Sequence, residues 1–388
     1  MKNHFKILFS VGAIFIMLFG NAQPVVKPLK VAVFAPVYID SAFEGINYKL
    51  GNNYLPKYIL PGLDFYNGML LAIDSLNTEK QALEFIFYDT KSINEPLEDI
   101  LTKPELKDIS LMIASFNQRN EIKTLADFSL EKNVPLISMT YPNDGGVTNN
   151  PFFVLVNPTL RTHIEAIYHF LHHYYPTENI TLFKRNGATE DMIASSMSEL
   201  NKKTPGLPLK IKTVELTDSF SHSQVLMQLD STRQNIILCG SLNEVFGLNL
   251  VKALATNKNY KSITVGMPTW DGLRDIGKDA EIIYTSPYNY SRTDKLGQTI
   301  ASNYKNKYMG RPSDMVFKGF EAVYHFSKLL IKYNKNLIGH LSDNEFKLFN
   351  EYDFQPVKAK NESALPDYLE NKKVYFIRKI DTQIKAIK

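Results

Sequence analysis

Cysteine is nearly absent from this chain of 388 residues, which contains only Cys239. A single cysteine excludes an intramolecular disulfide. The fold must therefore be held by its apolar core, and a chain of this length can bury a large one. The apolar run Ile236–Leu238 directly precedes Cys239, so we expect a buried thiol in a strand.

An excess of charge of one sign is also lacking, since the formal net charge is +4 at pH 7. Lys2 and Lys6 lie in a segment that we expect to be removed, and their loss lowers this value by two, to +2. The sequence has no long basic run. Neither nucleic acid nor a membrane surface is therefore indicated as a partner.

Motifs for nucleotide binding and nucleophilic catalysis are missing. There is no G-x-G-x-x-G, no Walker A loop and no G-x-S-x-G elbow. Glu165, His169 and His173 share a helical face, but a solvated face near a helix end explains them without a metal. We predict no enzymatic activity, no cofactor and no metal. The alternative, a hydrolase using Ser115 or Ser138, requires a histidine that the sequence does not place nearby.

The N-terminal residues 1–22 have the organisation of a secretory signal peptide. Lys2 and Lys6 are basic, Ile7–Phe19 is apolar, and small residues precede a predicted cleavage site between Ala22 and Gln23. The apolar run is short for a membrane span, which disfavours the alternative of an N-terminal anchor. We expect a periplasmic or extracellular protein with no stable membrane insertion after cleavage.

The stretch Asp108–Pro142 reads as one βαβ unit, with two apolar runs flanking an amphipathic helix. Small polar residues follow each predicted strand. They are Ser115 and Asn117 after the first strand, and Ser138 and Thr140 at the end of the second. Ligands of open α/β sheets bind at the carboxyl ends of the strands. These four residues are therefore candidate ligand contacts.

The alternation of strands and helices restarts at Asn157-Pro158 and runs through both halves of the chain. This predicts an α/β protein with two doubly wound, Rossmann-like lobes. The segment Val37–Pro61, which follows the first strand, is long for a loop and rich in tyrosine. Such loops are often functional, and a surface excursion without a role is the alternative. Tyr38 at its start is another candidate ligand contact.

Several stretches together resemble the type I periplasmic solute-binding proteins of the branched-chain amino-acid receptor type. Their order and spacing extend over nearly the whole mature chain. The stretches are KVAVFAP (Lys30–Pro36), YNGMLLAIDSLN (Tyr66–Asn77), FIFYDTKS (Phe85–Ser92), VPLISMTYPND (Val134–Asp144), NPFFVLVNPT (Asn150–Thr159), YTSPYN (Tyr284–Asn289) and YMGRPSDMVFKGFEAVYHF (Tyr308–Phe326).

The resemblance implies two lobes joined by a hinge of three chain crossings, with the ligand bound in the cleft. The crossings are expected near 156–160, 285–289 and 332–341. The first lobe would then comprise 28–157 plus 286–333, and the second 158–285 plus 334–388. The resemblance also implies a monomeric receptor that closes on a small-molecule ligand and presents it to an ABC permease.

By position, the resemblance assigns carboxylate binding to Ser115, Ser138 and Thr140. In the second lobe it implies contacts near Gly187, Ser241, Trp270 and Asp271. There the Asp271 carboxylate would meet an ammonium group and Trp270 would pack on the ligand. The alternative interpretation of Trp270 is a half-buried aromatic side chain on the surface, without a role in binding.

Two departures from the family pattern bear on the ligand. Val37–Pro61 is longer and more aromatic than expected, and SFNQRN (Ser115–Asn120) replaces a small, glycine-containing loop. The leading prediction is an exported receptor for an amino-acid-like ligand. The alternative is a receptor-fold protein without a transporter, which recognises cell-envelope or peptidoglycan-derived ligands.

Overall fold

The structure is a computed structural model that describes residues 27–51, 54–256, 259–277, 280–290, 293–358, 365–380 and 383–387. The predicted signal peptide lies outside these residues. The strands are β1 (Leu29–Ala35), β2 (Phe43–Glu44), β3 (Asn47–Tyr48), β4 (Leu83–Asp89), β5 (Ile109–Ala114), β6 (Leu136–Ser138), β7 (Phe153–Leu155), β8 (Asn179–Lys184), β9 (Lys210–Glu215), β10 (Asn235–Cys239), β11 (Ser262–Gly266), β12 (Glu281–Ser286), β13 (Phe354–Val357), β14 (Tyr368–Asn371), β15 (Tyr375–Ile380) and β16 (Gln383–Ile387).

The α-helices are α1 (Ile39–Ala42), α2 (Leu60–Thr78), α3 (Leu97–Ile100), α4 (Arg119–Lys132), α5 (Leu160–Tyr174), α6 (Ala188–Lys203), α7 (His222–Leu226), α8 (Glu244–Ala255), α9 (Lys295–Tyr308) and α10 (Asp314–Tyr333). Short 3₁₀ helices span Pro104–Leu106, Pro268–Gly272 and Asn334–His340.

The first lobe is built on a seven-stranded sheet of order β13-β14-β7-β6-β5-β1-β4. All neighbours in this sheet are parallel except the pair β13–β14. Side chains alternate between its faces. Val31 and Ile113 face a core formed with α2, α9 and α10, whereas Phe34 and Met112 face α3 and α4. Both faces are covered, which is why these strands are nearly continuous apolar runs.

Helices α2 and α10 pack side by side with the same direction across the first sheet. Asp64 accepts a hydrogen bond from Ser313 at one end (2.5 Å), and Glu79 pairs with Lys328 at the other (2.6 Å). Between these pairs the backbones nearly touch, since a Cβ on Gly319 would lie 2.1 Å from the Phe65 carbonyl oxygen. The beginning of α10 is therefore fixed beside the beginning of α2, at the carboxyl edge of the sheet.

The second lobe is built on another seven-stranded sheet, of order β16-β15-β12-β11-β10-β8-β9. Strands β8 to β12 are parallel, and β15 and β16 run antiparallel at one edge. Helices α7 and α8 cover one face, and α5 and α6 cover the other. The prediction of two doubly wound lobes is confirmed.

The chain passes between the sheets after β7, after β12 and between β14 and β15. The first two crossings lie near their predicted positions, but the third lies at 372–374 rather than 332–341. The prediction that all C-terminal strands belong to the second lobe is therefore wrong for β13 and β14. The reason is a non-local pairing: β7 is fully buried, and β14 covers its edge, with Leu369 opposite Val154.

Candidate functional site

Ser115 and Thr140 meet at the carboxyl edge of the first sheet, where β5 and β6 end. Their hydroxyl oxygens are 3.2 Å apart. The Thr140 hydroxyl also lies 3.1 Å from the Phe116 amide nitrogen, which donates to it, and 3.2 Å from the Phe116 carbonyl oxygen. The predicted pair is thus brought together, and its hydroxyls are already bonded to each other and to the backbone.

Tyr38 and Asn117 lie at the same rim. The Asn117 side-chain amide donates to the Tyr38 hydroxyl over 2.8 Å. The loop that carries Tyr38 is held by Asp89, whose carboxylate accepts from the amide nitrogens of Val37 (2.9 Å) and Ile39 (2.7 Å). Sequence reasoning missed this role of Asp89. The feature that indicates this role is the position of Asp89 at the end of β4, which lies beside the end of β1.

Ser138 does not join this rim. Its side chain is fully buried, and its hydroxyl has no hydrogen-bond partner in the described part of the chain. As the last residue of β6 it shares a face with Leu136, which packs into the core under α4. The structure therefore places Ser138 inside the first lobe rather than in the cleft.

Trp270 is a core residue of the second lobe. It is fully buried, and its ring fills the space above two glycines. A Cβ on Gly266 would lie 2.0 Å from the ring, and one on Gly247 would lie 2.5 Å from its Nε1. Trp270 therefore anchors the 3₁₀ turn Pro268–Gly272 instead of packing on a ligand.

The other second-lobe candidates are internal as well. Ser241 is fully buried, and its hydroxyl donates to Glu190 over 2.7 Å. Gly187 precedes α6 and leaves room for the Glu190 carboxylate, which a Cβ at that position would approach to 2.3 Å. These residues hold the start of α6 in place.

Asp271, in contrast, lines a cavity of about 1110 Å³ between the lobes. The Tyr284 hydroxyl donates to Asp271 Oδ1 over 3.0 Å. Arg274 and Tyr284 belong with Asp271 to the second lobe, whereas Asp314 and Lys318 come from the beginning of α10 in the first lobe. Asp271 is the only predicted site residue in the cavity lining that the described residues form.

Lys318 is the main site residue that sequence reasoning missed. Its Nζ lies 4.2 Å from the centroid of the Tyr288 ring. Across the described residues it makes no hydrogen bond to a carbonyl and no ion pair with a carboxylate. Burial lowers the pKa of Lys318, and the nearby charges of Asp314 and Asp271 partly counter this effect. The available signal was a lysine inside the run VFKGF (Val316–Phe320), whose other residues are apolar.

Tyr288 connects this cavity with the first-lobe rim. It follows β12 at the second crossing, and its hydroxyl donates to the carbonyl oxygen of Met139, between Ser138 and Thr140. Burial raises the pKa of Tyr288, so the phenol stays neutral and acts as a donor. Through this bond Tyr288 joins the lining of the cavity to the backbone of Met139, the residue before Thr140.

Neither a metal cluster nor a membrane span is found in the part of the chain described. No group of three or more His, Cys, Asp or Glu side chains is arranged to hold a metal. Within the same residues, every helix is too short or too polar to cross a bilayer.

Comparisons with known proteins bear on the fold. No protein-family model matches the sequence, and no curated protein is significantly similar to it. Solved structures are similar, however, and each of the following covers 93% of this chain. A Rhodospirillum rubrum protein assigned to branched-chain amino acid ABC transport is 10% identical, is covered over 100% of its length and has a TM-score of 0.65.

Two similar structures contain an amino acid. An ABC transporter substrate-binding protein from Desulfitobacterium hafniense in complex with Leu is 11% identical, with 100% of its length covered and a TM-score of 0.58. The branched-chain amino acid substrate-binding protein LivJ from Streptococcus pneumoniae, in complex with isoleucine, is 14% identical, with 99% covered and a TM-score of 0.52. These likenesses confirm that the chain has the two-lobed fold of the type I periplasmic binding proteins.

Proposed function

We propose that this protein is an exported solute-binding receptor that captures a small, polar, amino-acid-like ligand between its lobes. The observation that supports it best is the cavity of about 1110 Å³, which both lobes line with charged side chains. A site shared by two lobes gives a ligand more contacts in the closed form than in the open form. Binding then shifts the population towards closure.

The similar structures with bound Leu or Ile support an amino-acid-like ligand for this chain. In this proposal Asp271 receives the ligand ammonium group, and the ligand carboxylate binds a donor from the first lobe. The closed receptor delivers the ligand to an ABC permease, acts as a monomer in the periplasm or outside the cell, and carries out no chemistry itself.

Native mass spectrometry of residues 23–388, purified from the natural compartment without denaturation, tests this function. We expect a bound small mass that is released on unfolding and is absent from the Asp271→Asn variant. The variant Asp127→Asn is the matched control, because Asp127 is exposed on α4 and pairs, among the residues that the structure describes, only with Lys123. A protein that carries no small mass, and gains no thermal stability from any amino acid or peptide, would not be a solute receptor.

A further inference from the structure

Charged side chains of both signs line the interlobe cavity, with Asp314 and Lys318 from the first lobe and Asp271, Asp275, Arg274 and Lys379 from the second. Lys318 presents its ammonium from α10 in the first lobe, and Asp271 presents its carboxylate from the 3₁₀ turn in the second. Burial lowers the pKa of Lys318, and the charges of Asp314, one turn earlier on α10, and of Asp271 partly counter this effect. No hydrogen bond joins Lys318 and Asp271.

The ammonium of Lys318 has three donors and, within the described residues, no acceptor. The face of Tyr288 lies under it and offers attraction without accepting an N–H hydrogen bond. The other cations of the lining differ in this respect. Arg274 donates to the carbonyl oxygens of Asp271 (2.8 Å) and Leu273 (3.1 Å), and Lys379 donates to that of Leu273 (2.5 Å). Arg274 and Lys379 thus already use part of their donors within the second lobe, whereas Lys318 is the cation that the first lobe contributes and has all three of its donors unused among the described residues.

The carboxylate of Asp271 has acceptor capacity left. It accepts from the Tyr284 hydroxyl, while Arg274 binds the Asp271 backbone rather than the side chain. A carboxylate has about four lone-pair sites. A ligand ammonium could therefore bind Asp271 without displacing the Tyr284 hydroxyl.

The volume of the cavity leaves room for a ligand larger than one amino acid. Pockets of about 300–1000 Å³ enclose drug-sized molecules, and this cavity, at about 1110 Å³, exceeds that range. A single amino acid, whose ammonium and carboxylate are attached to one carbon, would leave most of it empty. The lining also includes the apolar and aromatic side chains of Ile276, Tyr290 and Ile377.

We propose that the cavity binds a short peptide with free termini, whose carboxylate pairs with Lys318 and whose ammonium pairs with Asp271. This inference rests on the proposed receptor function and narrows its ligand class. Charged groups at the two ends of the ligand would contact both lobes at once, which is the condition for a ligand that favours closure.

Calorimetry with four probes tests the inference: leucine, Ala-Leu-Ala, Ala-Leu-Ala amide and acetyl-Ala-Leu-Ala. We expect Ala-Leu-Ala to bind wild-type protein about 10- to 100-fold more tightly than either blocked peptide, because each block removes one charge-assisted contact. The amide penalty and the acetyl penalty are the factors by which blocking the carboxyl terminus or the amino terminus weakens binding. In Lys318→Met the amide penalty should fall to about one-fold, while the acetyl penalty persists. In Asp271→Asn the reverse should hold.

Lys305→Met is the matched control, since Lys305 is exposed on α9 and does not line the cavity. It should leave both penalties unchanged. An amide penalty that is equal in Lys318→Met and wild type would overturn the assignment of Lys318. The blocked peptides also test the need for free termini in the wild-type protein, without any variant. If leucine binds and Ala-Leu-Ala does not, the peptide inference fails and the receptor function stands. If none of the four probes binds and no small mass co-purifies, the receptor function fails as well.

Discussion

Glu321 is a carboxyl group that the first lobe buries completely on the inner face of α10. Its oxygens accept from the amide nitrogens of Phe349 (3.1 Å) and Asn350 (2.9 Å) and from the Asn350 side chain. No cation of the described residues pairs with it. Burial outweighs these hydrogen bonds and raises the pKa of Glu321 to about 7.

This pKa predicts how stability depends on pH. The folded-state pKa lies above the ordinary value of 4.5, so the protonated form favours folding. The contribution of Glu321 is therefore fully present below about pH 4.5 and is lost as the pH rises through about 7. Relative to Glu321→Gln, wild type should lose about 3 kcal/mol of unfolding free energy between those two pH values.

Urea denaturation of both proteins across this pH range measures the difference. The buried histidines His163 and His325, whose pKa burial lowers to about 4, affect both proteins equally and cancel in the comparison. Parallel stability profiles for wild type and Glu321→Gln would contradict the raised pKa.

Trp270 gives a second residue-scale prediction, because its ring occupies the space above Gly266. Gly266→Ala puts a Cβ 2.0 Å from that ring and should cost about 1–3 kcal/mol of unfolding free energy through overpacking. The fluorescence of this only tryptophan should change as well. Gly339→Ala is the control, since a Cβ there meets nothing within 4 Å. Equal stability of the two variants would show that the Trp270 packing is misassigned.

The sequence alone predicted the positions of only some of the candidate residues, for reasons that operate at single residues. Ser115 and Thr140 were predictable because the ends of neighbouring parallel strands must meet at one edge of the sheet. The full burial of Trp270 was not predicted, because it depends on Gly247 and Gly266, which belong to other elements. Lys318 was missed because the apolar periodicity of α10 does not show that one turn of the helix faces an interlobe cavity.

At the scale of elements, the tyrosine-rich segment after β1 is ordered locally and tied to β4. Residues 39–48 of this segment form α1 and the small hairpin β2–β3. Large apolar side chains of the segment are exposed, including Ile46 (95% exposed) and Tyr54 (62%). Asp40 of this segment accepts from Ser92, Ile93 and Asn94 in the loop that follows β4. A second polar link is the carboxylate of Asp89 at the end of β4, which accepts from Val37 and Ile39.

Removing that link should loosen the segment. Asp89→Ala leaves three backbone donors without their acceptor and should cost about 1–3 kcal/mol. Asp89→Asn keeps one acceptor oxygen and should cost less. Hydrogen exchange over residues 38–51 should quicken in the same order, wild type slowest and the Ala variant fastest. Asp127→Ala, which removes only an exposed helix ion pair, should leave this exchange unchanged.

Exchange that is equal in wild type and Asp89→Ala would mean that Asp89 does not hold the segment.

From the sequence, the existence of the helices and strands was easier to predict than the residues at which each begins and ends. The strands β1 and β5 were predictable because buried parallel strands are nearly continuous apolar runs. The conformation of the segment that follows β1 was not, since its first residues are held by the side chain of Asp89, which lies far away in the sequence.

At the scale of the whole molecule, the two-lobed fold followed from the repeated βα alternation, and the third crossing did not. The local sequence pattern identifies a strand but does not show which other strand it pairs with in a sheet. The hairpin β13–β14 could have extended either sheet, and the open edge of β7 decided the outcome. Hydrogen bonds from Asn289 to Asn350 (2.7 Å) and from Asn350 to Glu321 then tie the second crossing to the first lobe.

Ligand-driven closure of the two lobes is the central claim, and small-angle X-ray scattering of residues 23–388 tests it most directly. The protein would first be unfolded and refolded to remove bound ligand, then measured alone and with a mixture of amino acids and short peptides. We expect the radius of gyration to fall when the mixture is added, and to stay constant in the Lys318→Met, Asp271→Asn double variant. A radius of gyration that is unchanged in the wild-type protein, at concentrations where calorimetry detects binding, would contradict closure.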